Sequence, residues 1–256
     1  MTASHELKTP AVVIKRARLK EADRVITLFT RELGKISAIA RGVRKAKSKL
    51  AGHLETLTYT DVTLARGKNM DIIIGSQTLN AHLDIRNSLE RTSYALYFTE
   101  LVYHFAPEGQ PNLPLFDLLT ETLGNLGQTA NLELLSRFFE LNHLTNLGYQ
   151  PSLYRCLNCG SDLQPVTNYF SALAGGTLCP DCAAAAPIAY PISSSGLKVM
   201  RFLMENGYDS AMRLKYRPAL NQEIRRITQS YLRFLLEHEI KSAVWLDELK
   251  MTLLCE

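Results

Sequence analysis

The chain has 256 residues, 46% of them hydrophobic and 21% charged, the balance of a folded protein and not of a disordered one. That length supports two or three packed units. The net charge of +4 hides an asymmetry. Residues 1–80 carry fifteen Lys and Arg against seven acids, a local +8, and the remainder therefore carries −4. One end is built to meet polyanions. Residues 1–10 are polar and the apolar run 11–14 is far shorter than a signal peptide or membrane span, nor does any later stretch approach one. A cytoplasmic protein with reduced thiols is expected.

From residue 11 to 79 the chain reads as short strands with turns between them. Residues 11–18 open with β-branched side chains, 24–31 (RVITLFTR) are β-branched and aromatic, and 35–40 alternate after a turn at Glu32, Leu33 and Gly34. Residues 57–65 (LTYTDVTLA) alternate cleanly, and 71–75 follow a turn at Gly67, Lys68 and Asn69. Five antiparallel strands in about 70 residues suit a small closed barrel such as the OB-fold, with an SH3-like barrel as the rival on pattern alone.

Between the third and fourth strands, residues 40–54 (ARGVRKAKSKLAGHL) hold Arg41, Arg44, Lys45, Lys47 and Lys49 with no acid until Glu55. Such a run is either a solvated loop or a phosphate-tracking loop at the rim of a barrel. The basic character of the whole segment favours the second reading. Lys35 and Arg16 are weaker candidates for the same role. Only Phe29 and Tyr59 are aromatic here, and Phe29 reads as core, so binding should be to backbone phosphates, salt-sensitive and sequence-tolerant.

Beyond residue 87 the apolar period becomes helical. Residues 88–105, 115–126 and a stretch starting at Asn131, a plausible N-cap, each present an apolar face, and Gly148 is placed to end the third. Helical periodicity returns over 196–206 and again from Asn221. The aromatics of these helices read as core.

Between them lie Cys156-x2-Cys159 and Cys179-x2-Cys182. A two-residue spacer turns both thiolates of a pair onto one ion, and four thiolates complete a tetrahedral shell. Gly160 follows the first pair and Gly175-Gly176 precedes the second, where tight turns are needed. Disulfides are disfavoured without a secretory signal. The reading is a structural zinc ribbon: a catalytic zinc keeps a position open for water, whereas four sulfurs close the shell. No role is assigned to Cys255.

Catalytic signatures are lacking. There is no GxxxxGK[ST], GxGxxG or GxSxG sequence. His238-Glu239 begins like a zincin helix, but position 242 is Ser. Ser195-x-x-Lys198 lacks its companion motifs, and a helix N-cap accounts for the serine. The chain is expected not to be an enzyme.

Four stretches together resemble the RecO family of bacterial DNA repair and recombination proteins. They are residues 40–64 (ARGVRKAKSKLAGHLETLTYTDVTL), 137–160 (RFFELNHLTNLGYQPSLYRCLNCG), 169–182 (YFSALAGGTLCPDC) and, more weakly, 231–242 (YLRFLLEHEIKS). The resemblance implies an α+β multidomain protein, an N-terminal OB-fold β-barrel followed by an all-α helical domain with an inserted four-cysteine zinc ribbon. On this chain the expected divisions are 1–82 for the barrel, 83–150 and 193–256 for the helical domain, and 151–192 for the ribbon. It further implies a cytoplasmic, nucleoid-associated recombination mediator that binds single- and double-stranded DNA and anneals complementary strands. Such a mediator works with RecR, docks the tail of the single-strand-binding protein SSB, and helps RecA displace SSB. An RNA- or translation-associated zinc-ribbon protein is the alternative reading of the same residues.

Overall fold

The computed structural model describes residues 6–253, and Cys255 lies outside them. Strands β1 (Glu6–Arg18), β2 (Arg24–Thr30), β3 (Gly34–Ala40), β4 (Tyr59–Ala65) and β5 (Asp71–Asn80) close into a barrel in the order β1-β2-β3-β5-β4. Neighbours are antiparallel except β3 and β5, which meet in a short parallel register at Ala38–Asp71 and Ile39–Ile72. Alternation in the sequence decides what faces in. Thr60, Val62 and Leu64 of β4 are buried while Asp61 and Thr63 are not, as the two-residue period of a strand requires. Ala11, Val13, Ile26, Leu28 and Ile73 join them, with Val43 and Leu54 entering the core from the β3–β4 connection.

Strand β1 begins earlier than the expected residue 11 because it serves two neighbours. Glu6–Val12 pairs with β4, and Ala11–Arg18 pairs with β2 across a register shift between Val13 and Lys15. Strand β5 likewise runs on past residue 75, paired with β4 as far as Asn80.

Helices α1 (Leu83–Arg86), α2 (Leu89–Phe105) and α3 (Leu113–Leu126) follow the barrel, and α9 (Lys241–Leu253) returns to α2. By packing, the chain divides into Met1–Gln128 with Lys241–Glu256, and Thr129–Ile240. Helices beyond the expected barrel boundary after residue 82 thus pack with the barrel. The outer face of the barrel explains why. Phe29 is fully buried, and its ring lies 5.9 Å from that of Phe116 in α3, with Tyr59 6.2 Å from the same ring. The barrel has a second apolar face, and a helix covers it. At the C-terminal end the Glu100 carboxylate accepts hydrogen bonds from the backbone N–H of Lys241 and Ser242, at 3.2 and 2.7 Å. An anion there satisfies free amides of the first turn of α9 and complements its dipole.

The second unit packs α4 (Leu132–Asn146), α6 (Ser194–Glu205), α7 (Tyr208–Met212) and α8 (Pro218–Leu236), with a small sheet of β6 (Asn168–Ser171), β7 (Gly176–Leu178) and β8 (Tyr190–Ile192) and the single turn α5 (Pro180–Ala183). Asn131 caps α4 as expected, accepting from the Leu134 amide at 3.0 Å. The cap of α6 is Ser193, not Ser195, which lies inside the helix. His238-Glu239 falls in the turn after α8, so no zincin helix carries it.

His143 of α4 is fully buried and stacks on Phe139 with ring centroids 5.5 Å apart. Burial pushes its imidazole down to about 3. An unfolded chain takes up that proton near its ordinary value of about 6.5. Between these limits the unfolded state binds more protons, so His143 lowers stability as pH falls, by at most about 1.4 kcal/mol per pH unit. Chemical denaturation of wild type and His143→Gln between about pH 7 and 4 should show a flatter dependence in the variant. Equal slopes would mean that the imidazole is protonated in the folded chain.

Candidate nucleic-acid interface and metal centre

The β3–β4 connection is a structured loop. Val43 and Leu54 are buried and Leu50 is half-buried, so apolar side chains pin it at three points. Its start is tied to the β1–β2 turn. The Gly42 N–H donates to Asp23 Oδ1 at 2.7 Å, the Arg44 N–H to the Ala22 carbonyl at 3.0 Å, and Arg44 Nη1 to the Glu21 carbonyl at 2.7 Å. Between these anchors Arg41, Arg44, Lys45, Lys47 and Lys49 are all exposed. Among the described residues none of the five forms an ion pair. The loop presents uncompensated positive charge on a fixed base.

Arg16 lies beside the loop. It is half-buried, paired with Glu55, and lines a cleft of about 190 Å³ with Arg24, Val43, Arg44, Ala51 and Leu54. Burial, then the nearby guanidinium groups of Arg24 and Arg86, lower its affinity for a proton. Crowded cations with one acid between them form a place where an added anion relieves repulsion. Arg24 belongs to this cleft, and strand pairing would have indicated it, since Arg24 is opposite both Arg18 and Ala40.

Lys35 is placed differently. It is buried, its Nζ donates to the Tyr103 carbonyl at 2.6 Å, and it lies 5.2 Å from the Tyr103 ring centre. An ammonium committed to a carbonyl and a ring face is a packing element of the first unit and not, as expected from the sequence, a phosphate contact. Phe29 and Tyr59, the barrel aromatics, both pack on Phe116; Phe29 is fully buried, and Tyr59 is half-buried and edge-on to that ring.

The four cysteines are brought together in the second unit. Cys156 and Cys159 flank a turn in which the Gly160 N–H donates to the Cys156 carbonyl at 2.9 Å, and Gly160 takes a φ of +75°. Strand β7 delivers Cys179, and Cys182 follows on α5. A side chain at Gly176 is impossible, because its Cβ would stand 2.5 Å from the Ser152 carbonyl oxygen. That close approach holds the two halves together, reinforced by the Thr177 N–H donating to Ser152 O at 2.9 Å.

All four Sγ atoms lie within 4.8 Å of one another, and those of Cys159 and Cys179 are 3.9 Å apart. A tetrahedral ion with metal–sulfur bonds of about 2.3 Å requires sulfur edges of about 3.8 Å, so the donor set fits a single metal ion. None of the four is in a disulfide. Burial raises the Cys156 thiol, but backbone N–H groups of Cys159, Cys179 and Asn158 outweigh it and bring it to about 6. Hydrogen bonds from Ser161 lower Cys159. At Cys182 the Asn158 amide lowers the thiol, yet Cys179, burial and the remaining sulfurs push it up to about 12. Crowded thiols resist full ionisation without a cation among them.

A family model described as Recombination protein O N terminal matches residues 1–82, and one described as Recombination protein O C terminal matches residues 86–243. The chain is 43% identical over 251 residues to the DNA repair protein RecO of Dehalococcoides mccartyi (strain CBDB1), covering 98% of this chain and 99% of that one. It is 39% identical over 246 residues to the DNA repair protein RecO of Roseiflexus sp. (strain RS-1), covering 96% and 87%. With the protein of the same name from Acetivibrio thermocellus it shares 33% over 232 residues, covering 90% and 92%.

Elemental analysis of the purified protein should find one metal ion per chain. Cys159→Ser should weaken retention of that ion against a competing chelator by more than the roughly 10- to 100-fold typical of losing an outer-shell partner, because it removes a ligand itself. Retention equal to wild type against the same chelator would mean that Cys159 is not a ligand of the metal.

Proposed function

This chain belongs to the RecO family and has a role in DNA repair and recombination, and we propose that it fills this role as a non-enzymatic mediator that binds DNA backbone and anneals complementary strands. The observation that carries the reading is the ordered loop with five exposed cations, none of which forms an ion pair among the described residues. Strand order 1-2-3-5-4 supports reading the barrel as an OB-fold, an architecture suited to nucleic acid at its rim.

Arg41, Arg44, Lys45, Lys47 and Lys49 contact phosphates, with Arg16 and Arg24 deeper in the adjoining cleft. Each cation that neutralises a phosphate releases counterions. Two strands brought onto the same charge repel less, and bases that are not stacked on protein stay free to pair. Cys156, Cys159, Cys179 and Cys182 hold zinc as a structural staple, since four sulfurs leave no position for water. The family resemblance adds RecR, the SSB tail and a functional link to RecA as partners, with the nucleoid as the place of action.

Strand annealing tests this, using complementary oligonucleotides of which one is coated with SSB. Wild type should anneal them, and Arg44→Glu/Lys45→Glu/Lys47→Glu should not. The single change Lys47→Ala should weaken binding to all sequences alike and lower the salt slope by about one. Sequence-dependent losses, or a preference for structured RNA at matched salt, would overturn the reading.

A further inference from the structure

The second unit is close to neutral, with ten Lys and Arg against nine acids over residues 129–240. Its positive charge is nevertheless concentrated. Arg213, Lys215 and Arg217 fall within five residues, and no acid occurs from Ser210 to Gln222. This segment joins α7 to α8 and takes no regular structure from Leu214 to Arg217.

Exposure alternates along it. Arg213, Lys215 and Arg217 are exposed, whereas Leu214 and Tyr216 are half-buried. Inward-turning Tyr216 holds the register. Its hydroxyl donates to Asn221 Oδ1 at 3.2 Å, and Asn221 Nδ2 donates in turn to Glu133 Oε2 of α4 at 2.6 Å. Pro218 disfavours helical backbone at the residue before it, and Arg217 is accordingly extended, with φ −71° and ψ 147°.

Two features turn this segment toward an anion. First, among the described residues none of the three cations forms an ion pair, although acids are nearly as numerous as cations in the unit. Second, the segment ends at the N-terminus of a 19-residue helix that has neither a side-chain cap nor an acid in its first turn. The positive end of that dipole adds to the three side chains as a field and not as an amide cradle, since Pro218 has no N–H and the Leu220 and Asn221 N–H groups donate to the Arg217 carbonyl. Arg213 still has the helical backbone of the end of α7, with φ −82° and ψ −11°, so the chain turns between the first of these cations and the last.

We propose that Arg213, Lys215 and Arg217, with the N-terminus of α8, form a second backbone-binding site for single-stranded DNA, separate from the barrel loop. Each unit then carries its own site, so one protein molecule can hold two strands. The site recognises phosphate charge and not bases, because Tyr216 is half-buried and its hydroxyl is held by Asn221. This rests on the DNA reading above for the identity of the ligand.

Two oligothymidylate strands, one carrying a donor dye and the other an acceptor, cannot pair with each other, so energy transfer reports both on one protein. Wild type should produce transfer. Arg213→Glu/Lys215→Glu/Arg217→Glu should bind a single labelled strand within about threefold of wild type but lose transfer at least about tenfold. The charge-keeping variant Arg213→Lys/Lys215→Arg/Arg217→Lys should restore transfer, which a merely structural role for the segment would not explain. Transfer unchanged in the reversed variant, or absent from a wild type that binds one strand, overturns the second site alone. Failure of wild type to bind oligothymidylate at all overturns the DNA reading with it.

Discussion

Closure of the barrel is the constraint on which the first unit depends. Strand β1 makes it possible by pairing with β4 over its first half and β2 over its second, shifting register between Val13 and Lys15. A register shift bends and twists a strand locally, and a strand that must face two neighbours needs that bend. With β3 and β5 joined on the far side, no edge is left open for pairing with another chain. The polar work of the unit therefore falls to its connections. The longest of these is also the most basic, and its buried Val43 and Leu54 make it an extension of the core.

The second unit is held by a different device. Arg137 and Glu140 of α4 are both buried, 2.6 Å apart, and Thr228 of α8 donates to the other carboxylate oxygen at 2.7 Å. A buried pair contributes little net stability, since desolvation offsets the attraction, but removing one member typically costs about 3–5 kcal/mol. The pair thus punishes any packing of α4 on α8 that separates it from Thr228. The metal module adjoins the same helix, with Phe170 of β6 edge-on to Tyr231 of α8 at 5.5 Å. The small sheet and the helices share one core.

Where physics is local, the sequence was a good guide. Alternation over 57–65 located β4, Asn131 marked the start of α4, and the two cysteine pairs converge as their spacing required. Long-range facts were not legible. Lys35 sits in an alternating strand, and nothing near it in sequence shows that Tyr103, 68 residues on, will take its charge. The return of α9 to α2 depends on Glu100 meeting the amides of Lys241 and Ser242, a pairing no periodicity encodes. The cations at 213–217 are hidden from sequence for a related reason. Averaged over the C-terminal two-thirds of the chain the charge is negative, and only the exposure pattern separates these three from cations that are already paired.

Both basic segments share a design that bears on annealing. Each fixes its cations by turning apolar or aromatic neighbours inward, Val43 and Leu54 in one case, Leu214 and Tyr216 in the other. The tyrosine nearest each in sequence is half-buried and engaged by the fold, Tyr59 edge-on to Phe116 and Tyr216 through its hydroxyl on Asn221. Stacking on a ring contributes about 1–3 kcal/mol per base, and a strand held that way must give up the same amount before it can pair. A surface that grips phosphates alone imposes no such cost on base pairing, while still neutralising the charge that keeps strands apart. Weak, salt-sensitive, base-free binding is therefore what annealing requires, and a protein that bound single strands more tightly through their bases would hold them unpaired.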